Sequence, residues 1–187
     1  DIFQMTIKAD LGFADLTSYT QHRKENTDSS ISLSYSALPP QLGLPNGNRT
    51  WSQEFLLTSK PGTKLQWTAG AYYLSNQDRY FVFFDYLPAV GANSRCCEFG
   101  SNALIKTLAG FVDATYEVTP NLFLTAGVRV ARDTEHDAWT IPAYFPAFGM
   151  SPIRTDATAA NYRTVNRTKA TPRAVIRYKP SDHSSIY

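Results

Sequence analysis

The stretch Asn121-Leu122-Phe123-Leu124-Thr125-Ala126-Gly127-Val128-Arg129-Val130-Ala131 alternates residue by residue. Leu122, Leu124, Ala126, Val128 and Val130 fall on one side of an extended chain, and Phe123, Thr125, Gly127, Arg129 and Ala131 on the other. Successive strand side chains point to opposite faces, so this segment reads as a strand with one apolar face and one mostly polar or small face. Lys64–Tyr73 repeats the pattern: Leu65, Trp67, Ala69, Ala71 and Tyr73 oppose Lys64, Gln66, Thr68, Gly70 and Tyr72.

Outward from these two, the same period recurs over Phe3–Ala9, Phe13–Arg23, Thr50–Ser59, Leu104–Glu117, Ala170–Tyr178 and the start at Ser184–Tyr187. In Leu104–Glu117, Leu108, Gly110, Val112, Ala114 and Tyr116 share a face against Thr107, Phe111, Asp113, Thr115 and Glu117. No segment has the 3.6-residue period of an amphipathic helix. The fold expected is all-β, an antiparallel up-and-down meander of about eight strands.

The connections sort by length. Asp10–Gly12, Lys60–Thr63, Val118–Asn121 and Lys179–Asp182 are short and rich in Pro, Gly, Asn and Asp, as tight turns require. Lys24–Arg49, Gln77–Ala103 and Asp133–Lys169 read as long loops. Short and long alternate strictly. In a meander, alternate connections lie at the same end, so all short turns share one end and all long loops the other. Outer-membrane barrels show this asymmetry, and strands of about ten residues suffice to cross a bilayer at a tilt. Trp51, Trp67, Tyr72, Tyr73, Tyr80, Tyr116 and Tyr178 are candidates for the aromatic girdles of such a barrel. Alternation alone leaves a soluble sandwich open, because a second sheet can cover the same apolar faces.

Composition agrees and excludes. Of 187 residues, 43% are hydrophobic and 13% aromatic, enough to argue against wholesale disorder. Lys plus Arg number 18 against 16 Asp plus Glu, and a net charge of +2 gives no electrostatic basis for binding nucleic acid. No run of 18 apolar residues exists, which excludes a transmembrane helix but not a barrel. The chain opens on Asp1 without an initiator Met or a basic-then-apolar leader, and its last residues read as the opening of a further strand. A fragment of a longer protein is expected.

Several of these segments resemble strands of TonB-dependent receptors. Leu16-Thr17-Ser18-Tyr19-Thr20 is similar to the strand that leaves a short turn in that family. Trp51-Ser52-Gln53-Glu54-Phe55-Leu56-Leu57-Thr58-Ser59 resembles the next strand, and Leu65–Tyr73 its hairpin partner. Ala109–Tyr116 followed by Asn121–Val130 is similar to another family hairpin, and Lys169–Tyr178 completes the series. The resemblance covers most strands and none of the long loops. It implies a barrel of about 22 strands, plugged by an N-terminal globular domain. It also implies energised uptake of scarce nutrients, often ferric siderophores, sometimes cobalamin or sugars, with energy delivered by TonB. On this reading residues 1–187 are part of one β-barrel domain, an open curved sheet when taken alone, with the plug domain and the remaining strands outside it. The implied partners are outer-membrane lipid, the TonB complex acting through the plug, and a small-molecule or metal-chelate substrate. The implied location is the bacterial outer membrane. A passive porin-like barrel is the alternative with the same strands and no plug.

No catalytic motif is present: no phosphate-cradling glycine loop, no nucleophile elbow and no paired-His zinc motif. His22, His136 and His183 are scattered, so neither a metal site nor a cofactor is expected, and the chain does not read as an enzyme. Cys96 and Cys97 are adjacent and read as a loop pair. If its strand continues, Arg129 shares a face with Asp133, Glu135 and Asp137, and neighbouring strands add Asp113, Glu117, Arg173 and Arg177 to it. That face is expected to be the polar lining of a barrel, there to guide a substrate or contact a plug, or simply to be solvated. The other candidates are Trp139, Tyr144, Phe145 and Phe148, aromatics among the prolines of the loop at Asp133–Lys169, suited to stacking on a flat ligand.

Overall fold

The computed structural model describes residues 1–32, 41–85, 95–140, 162–181 and 184–187. These residues form one antiparallel sheet of eight strands in chain order. The strands are β1 (Ile2–Asp10), β2 (Ala14–Ser32), β3 (Gln41–Ser59), β4 (Leu65–Asp85), β5 (Arg95–Thr119), β6 (Leu122–Thr140), β7 (Tyr162–Ser181) and β8 (Ser184–Ile186). β1 and β8 are the two edges, and the sheet is open.

The first three short turns fall where expected. Gly12 and Gly62 adopt φ of 83° and 95°, the left-handed region that an L side chain resists. Asp10 Oδ1 accepts the Gly12 amide at 2.7 Å, and Leu11 N donates to Ala14 O at 2.9 Å, closing the first turn.

The long connections are shorter than the sequence suggests. β2 runs on through Ser32, β3 begins at Gln41, β4 reaches Asp85, β5 begins at Arg95, β6 reaches Thr140 and β7 begins at Tyr162. Most of the first two expected loops and both ends of the third are therefore paired strand, and Cys96 and Cys97 belong to β5 rather than to a loop. The physical reason is that strand pairing is a main-chain property. Where both faces meet water, no apolar alternation marks the strand, and polar side chains bond across the ladder instead. β5 is 25 residues long, far beyond the roughly ten needed to cross a bilayer, so the ribbons continue well past a membrane.

The sheet has no conventional core. Among the described residues, Ala14, Val82 and Ala109 are the buried hydrophobics, and no large side chain is fully buried. The register puts Phe3, Met5 and Ile7 of β1 on the face that carries Leu65–Tyr73 of β4, Leu108–Tyr116 of β5, Leu122–Val130 of β6 and Ile176 and Tyr178 of β7. Most of those side chains are exposed, Leu108 at 61% and Ile176 at 65%. A contiguous apolar face of this size on a water-soluble monomer would be exceptional. A sandwich would cover it with a second sheet, and no second sheet exists among the described residues. The polar residues on this face bond to each other: Thr20 donates to Gln53 Oε1 at 2.7 Å, and Gln53 Nε2 donates to Ser18 Oγ at 2.8 Å. Such mutual pairing is what an apolar solvent demands.

The aromatic set divides. Trp51, Trp67, Tyr73, Tyr116 and Tyr178 stand on the apolar face, whereas Tyr72 and Tyr80 stand on the polar one and cannot join a girdle there. Trp51 and Tyr73 stack with ring centroids 5.4 Å apart, tilted by 59°.

Candidate functional site

Directly paired residues point to the same side of a sheet. β5 and β6 pair Glu117 with Phe123, Asp113 with Gly127, Phe111 with Arg129, Thr107 with Asp133 and Ile105 with Glu135. β6 and β7 pair Phe123 with Arg177, Gly127 with Arg173, Asp133 with Arg167 and Asp137 with Arg163. Asp113, Glu117, Arg129, Asp133, Glu135, Asp137, Arg173 and Arg177 therefore share one face, as their parity in the sequence predicts.

They do not converge on one point. Three of them meet. Arg173 Nη1 donates to Asp113 Oδ2 at 3.4 Å, passing over Gly127, the residue paired with both. A Cβ on Gly127 would lie 2.4 Å from Asp113 Oδ2 and 3.0 Å from Val112 O, so only glycine leaves this crossing open. Beside it, the Arg129 guanidinium lies 5.9 Å from the rings of both Tyr72 and Phe111, within cation–π range. Glu54, paired with Tyr72, completes the group. Glu54, Phe111, Asp113, Arg129, Thr171 and Arg173 line an open cleft of about 460 Å³.

The other charged residues flank this cleft. Toward the short turns, Arg177 lies 4.5 Å and Lys179 5.4 Å from the Phe123 ring, with Glu117 opposite Phe123 in the ladder. Toward the long connections, Asp133 accepts a bond from Thr107 Oγ1 at 2.7 Å, and Glu135 stands between Ile105 and Val165. His136 stands on the opposite face from this acidic run and shares a 2.9 Å bond with Thr164 Oγ1, so it cannot work with Asp133 or Glu135 as an acid–base set. Trp139 lies in β6 opposite Ser101. Tyr144, Phe145 and Phe148 lie outside the described residues.

Two features were not readable as site elements. Glu54 and Phe111 join the cleft from β3 and β5, and Tyr72 of β4 stands beside it near Arg129, all brought there by register. Further along the same face, Thr50 donates to Asn76 Oδ1 at 2.7 Å, Asn48 donates to Asn76 at 3.0 Å and also to Asp78, and Asn76 donates to Asp78 Oδ2 at 3.0 Å. With Glu25, Thr27 and Tyr80 this ladder borders a second cleft of about 290 Å³. Its signal was present as the period-two repeats Asn46, Asn48, Thr50 and Asn76, Asp78, Tyr80, of which Asn46, Asn48, Asp78 and Tyr80 fall inside segments read as loops.

At the short-turn end, Lys60 of the second turn pairs with Asp10 at 2.9 Å and with Asp15, bridging two hairpins. Its hydrogen bonds to Asp15 and Asp10 push the Lys60 ammonium above its ordinary range, and the Lys60 bond, aided by the Gly12 amide, holds the Asp10 carboxyl below its own. Among the described residues, no group of three His, Cys, Asp or Glu side chains is placed to hold a metal ion.

An open meander with short turns at one end, an exposed apolar face between aromatic residues and a charged opposite face defines a wall segment of a transmembrane β-barrel. A family model described as "TonB dependent receptor-like, beta-barrel" matches residues 2–187, and the chain belongs to that family. Among solved structures, the ferric yersiniabactin uptake receptor FyuA from Yersinia pestis is similar, with a TM-score of 0.66 at 12% identity. The match covers 97% of this chain and 26% of that one, so the chain spans about a quarter of that receptor's length. No curated protein matches the sequence.

Proposed function

We propose that this chain is wall from an outer-membrane receptor that takes up a scarce nutrient by energised, TonB-coupled transport, a small molecule or metal chelate such as a ferric siderophore. The observation that carries the reading is the make-up of the polar face. In a barrel of this family that face lines the interior. There Arg129, Tyr72 and Phe111 offer a cation and two rings beside the Asp113–Arg173 pair. A fixed cation beside aromatic rings suits an anionic or catecholate-like chelate, and the same charges suit contact with a plug. FyuA, a receptor for ferric yersiniabactin, supports the substrate class by analogy of fold. The plug and the contact with TonB would be supplied by other parts of the protein.

The test is uptake of labelled ferric chelates by cells expressing the full-length receptor. Accumulation should stop when the proton gradient is collapsed or TonB is removed, and Arg129→Gln should slow it severalfold. Entry that continues without the gradient would instead identify a passive porin-like barrel.

A further inference from the structure

The apolar face is not uniformly apolar: four of its cations collect near one level, and a fifth, Arg79, stands further toward the long connections, paired with Gly47 and Asn102. Lys24 lies ten residues beyond Ala14, the first residue of β2. Arg49 lies ten residues before Ser59, the last residue of β3. Arg132 lies ten residues beyond Leu122, the first of β6, and Lys106 thirteen before Thr119, the last of β5, which carries a register irregularity near that end. The ladder places all four on the apolar side: Lys24 pairs with Arg49, Lys106 with Ser75, and Arg132 with Leu108. All four are exposed, and none takes part in an ion pair among the described residues.

Signs segregate between the faces. Among the described side chains of β3 to β7, every carboxylate stands on the polar face: Glu54, Asp78, Asp113, Glu117 and the three acids of β6. On the apolar face, Asp28 of β2 lies four residues beyond Lys24, toward the long connections, and Asp1 faces Lys24 without an ion pair. An indifferent solvated rim would mix its charges.

The level has a physical meaning. Ten strand residues extend about 33 Å, and at a tilt near 40° they rise about 25 Å. That is the height of the apolar band of an outer-membrane barrel. Trp51 and Tyr73 stack at the upper margin of this band, while Trp67, Tyr116 and Tyr178 lie near the short turns. The cations thus stand at headgroup height on the long-connection side.

We propose that Lys24, Arg49, Lys106 and Arg132 form a belt that binds the phosphate groups of lipid headgroups in the leaflet at the long-connection end. Guanidinium and ammonium groups beside a membrane recruit phosphate in this way. The inference rests on the reading of the apolar face as lipid-facing.

The test uses the full-length receptor in neutral detergent, titrated with bis-phosphorylated lipid A or with the same lipid stripped of phosphate, with bound lipid counted by native mass spectrometry. Wild type should hold the phosphorylated lipid about tenfold or more in preference. K24Q/R49Q/K106Q/R132Q should lose the preference while still migrating as a heat-modifiable barrel. K8Q/R163Q/R167Q/K169Q, which removes equal charge from the polar face, should keep it. Should the outward quadruple variant not fold, K24Q/R49Q and K106Q/R132Q tested separately should each lose part of it. Unchanged preference in the outward variants, equal loss in the polar-face variant, or displacement of the lipid by millimolar inorganic phosphate would overturn the belt. If the receptor binds neither lipid and stays soluble without detergent, the lipid-facing reading itself has failed.

Discussion

Asp113 of β5 and Arg173 of β7 meet at 3.4 Å across β6, a strand to which neither belongs, and Gly127 is the residue they pass over. Arg173 is exposed and Asp113 partly so, and the pair contributes little to stability, about 0–1 kcal/mol. Its value is positional, because it holds a carboxylate and a guanidinium beside Arg129.

A double-mutant cycle isolates that relationship. Asp113→Asn and Arg173→Gln should couple by about 0.5 kcal/mol in the unfolding of the full-length barrel. In a Gly127→Ala background the coupling should vanish, because the added Cβ would meet Asp113 Oδ2 at 2.4 Å and displace the carboxylate. Coupling that survives Gly127→Ala would show that the crossing does not depend on the glycine.

Two other glycines differ in a checkable way. Gly12 has a φ of 83°, and nothing lies within 4 Å of where its Cβ would be, so the cost of a side chain there is purely conformational. Gly12→Ala should lower stability by about 1 kcal/mol. At Gly70 a Cβ would meet the Phe111 ring at 2.4 Å and Phe55 O at 2.8 Å. Gly70→Ala should cost about 1–3 kcal/mol through overpacking, and truncating Phe111 should relieve part of that cost. Denaturant midpoints of the three variants check both statements.

The Lys60 clip predicts a pH window. The Asp10 carboxyl is held below its ordinary value of 3.8, so its contribution is present above that pH and is lost as pH falls through the depressed value. The Lys60 ammonium is raised above 10.5, so its contribution is present below that pH and is lost as pH rises through the raised value. The clip is exposed, so its effect should be small and screened by salt. Lys60→Met should flatten the stability profile at both extremes while changing little near neutrality. Matching profiles with and without Lys60 would show that the bridge between the hairpins adds nothing.

The alternating segments carried most of the fold because the membrane imposes two different solvents on one strand. Leu122 to Val130 reveals its strand, its faces and its neighbours' faces by parity alone. Beyond the apolar band both faces are wet, and parity falls silent. Thus residues 46–49 and 77–80 read as loop, yet they are paired strand, and Asn48 joins Thr50 and Asn76 in a cross-strand ladder. The candidate site was legible to the same depth. Parity put Asp113, Glu117, Arg129, Arg173 and Arg177 on one face. Which of them touch depends on register, a long-range property set by turn geometry. Nothing in the local sequence joins Arg129 to Tyr72, which comes from a strand two positions away in the sheet.

The central claim is that one face of this sheet meets lipid and the other does not. It is tested by spin labels placed singly at positions 122 to 131 of β6 in the full-length receptor, with Cys96 and Cys97 replaced and the protein in bilayers. Accessibility to oxygen should peak at Leu122, Leu124, Ala126, Val128 and Val130. Accessibility to a water-soluble nickel chelate should peak, if anywhere, at the positions between them. A scan without two-residue alternation, or one in which the chelate reaches Leu124 and Val128 as readily as Thr125, would contradict the barrel-wall account.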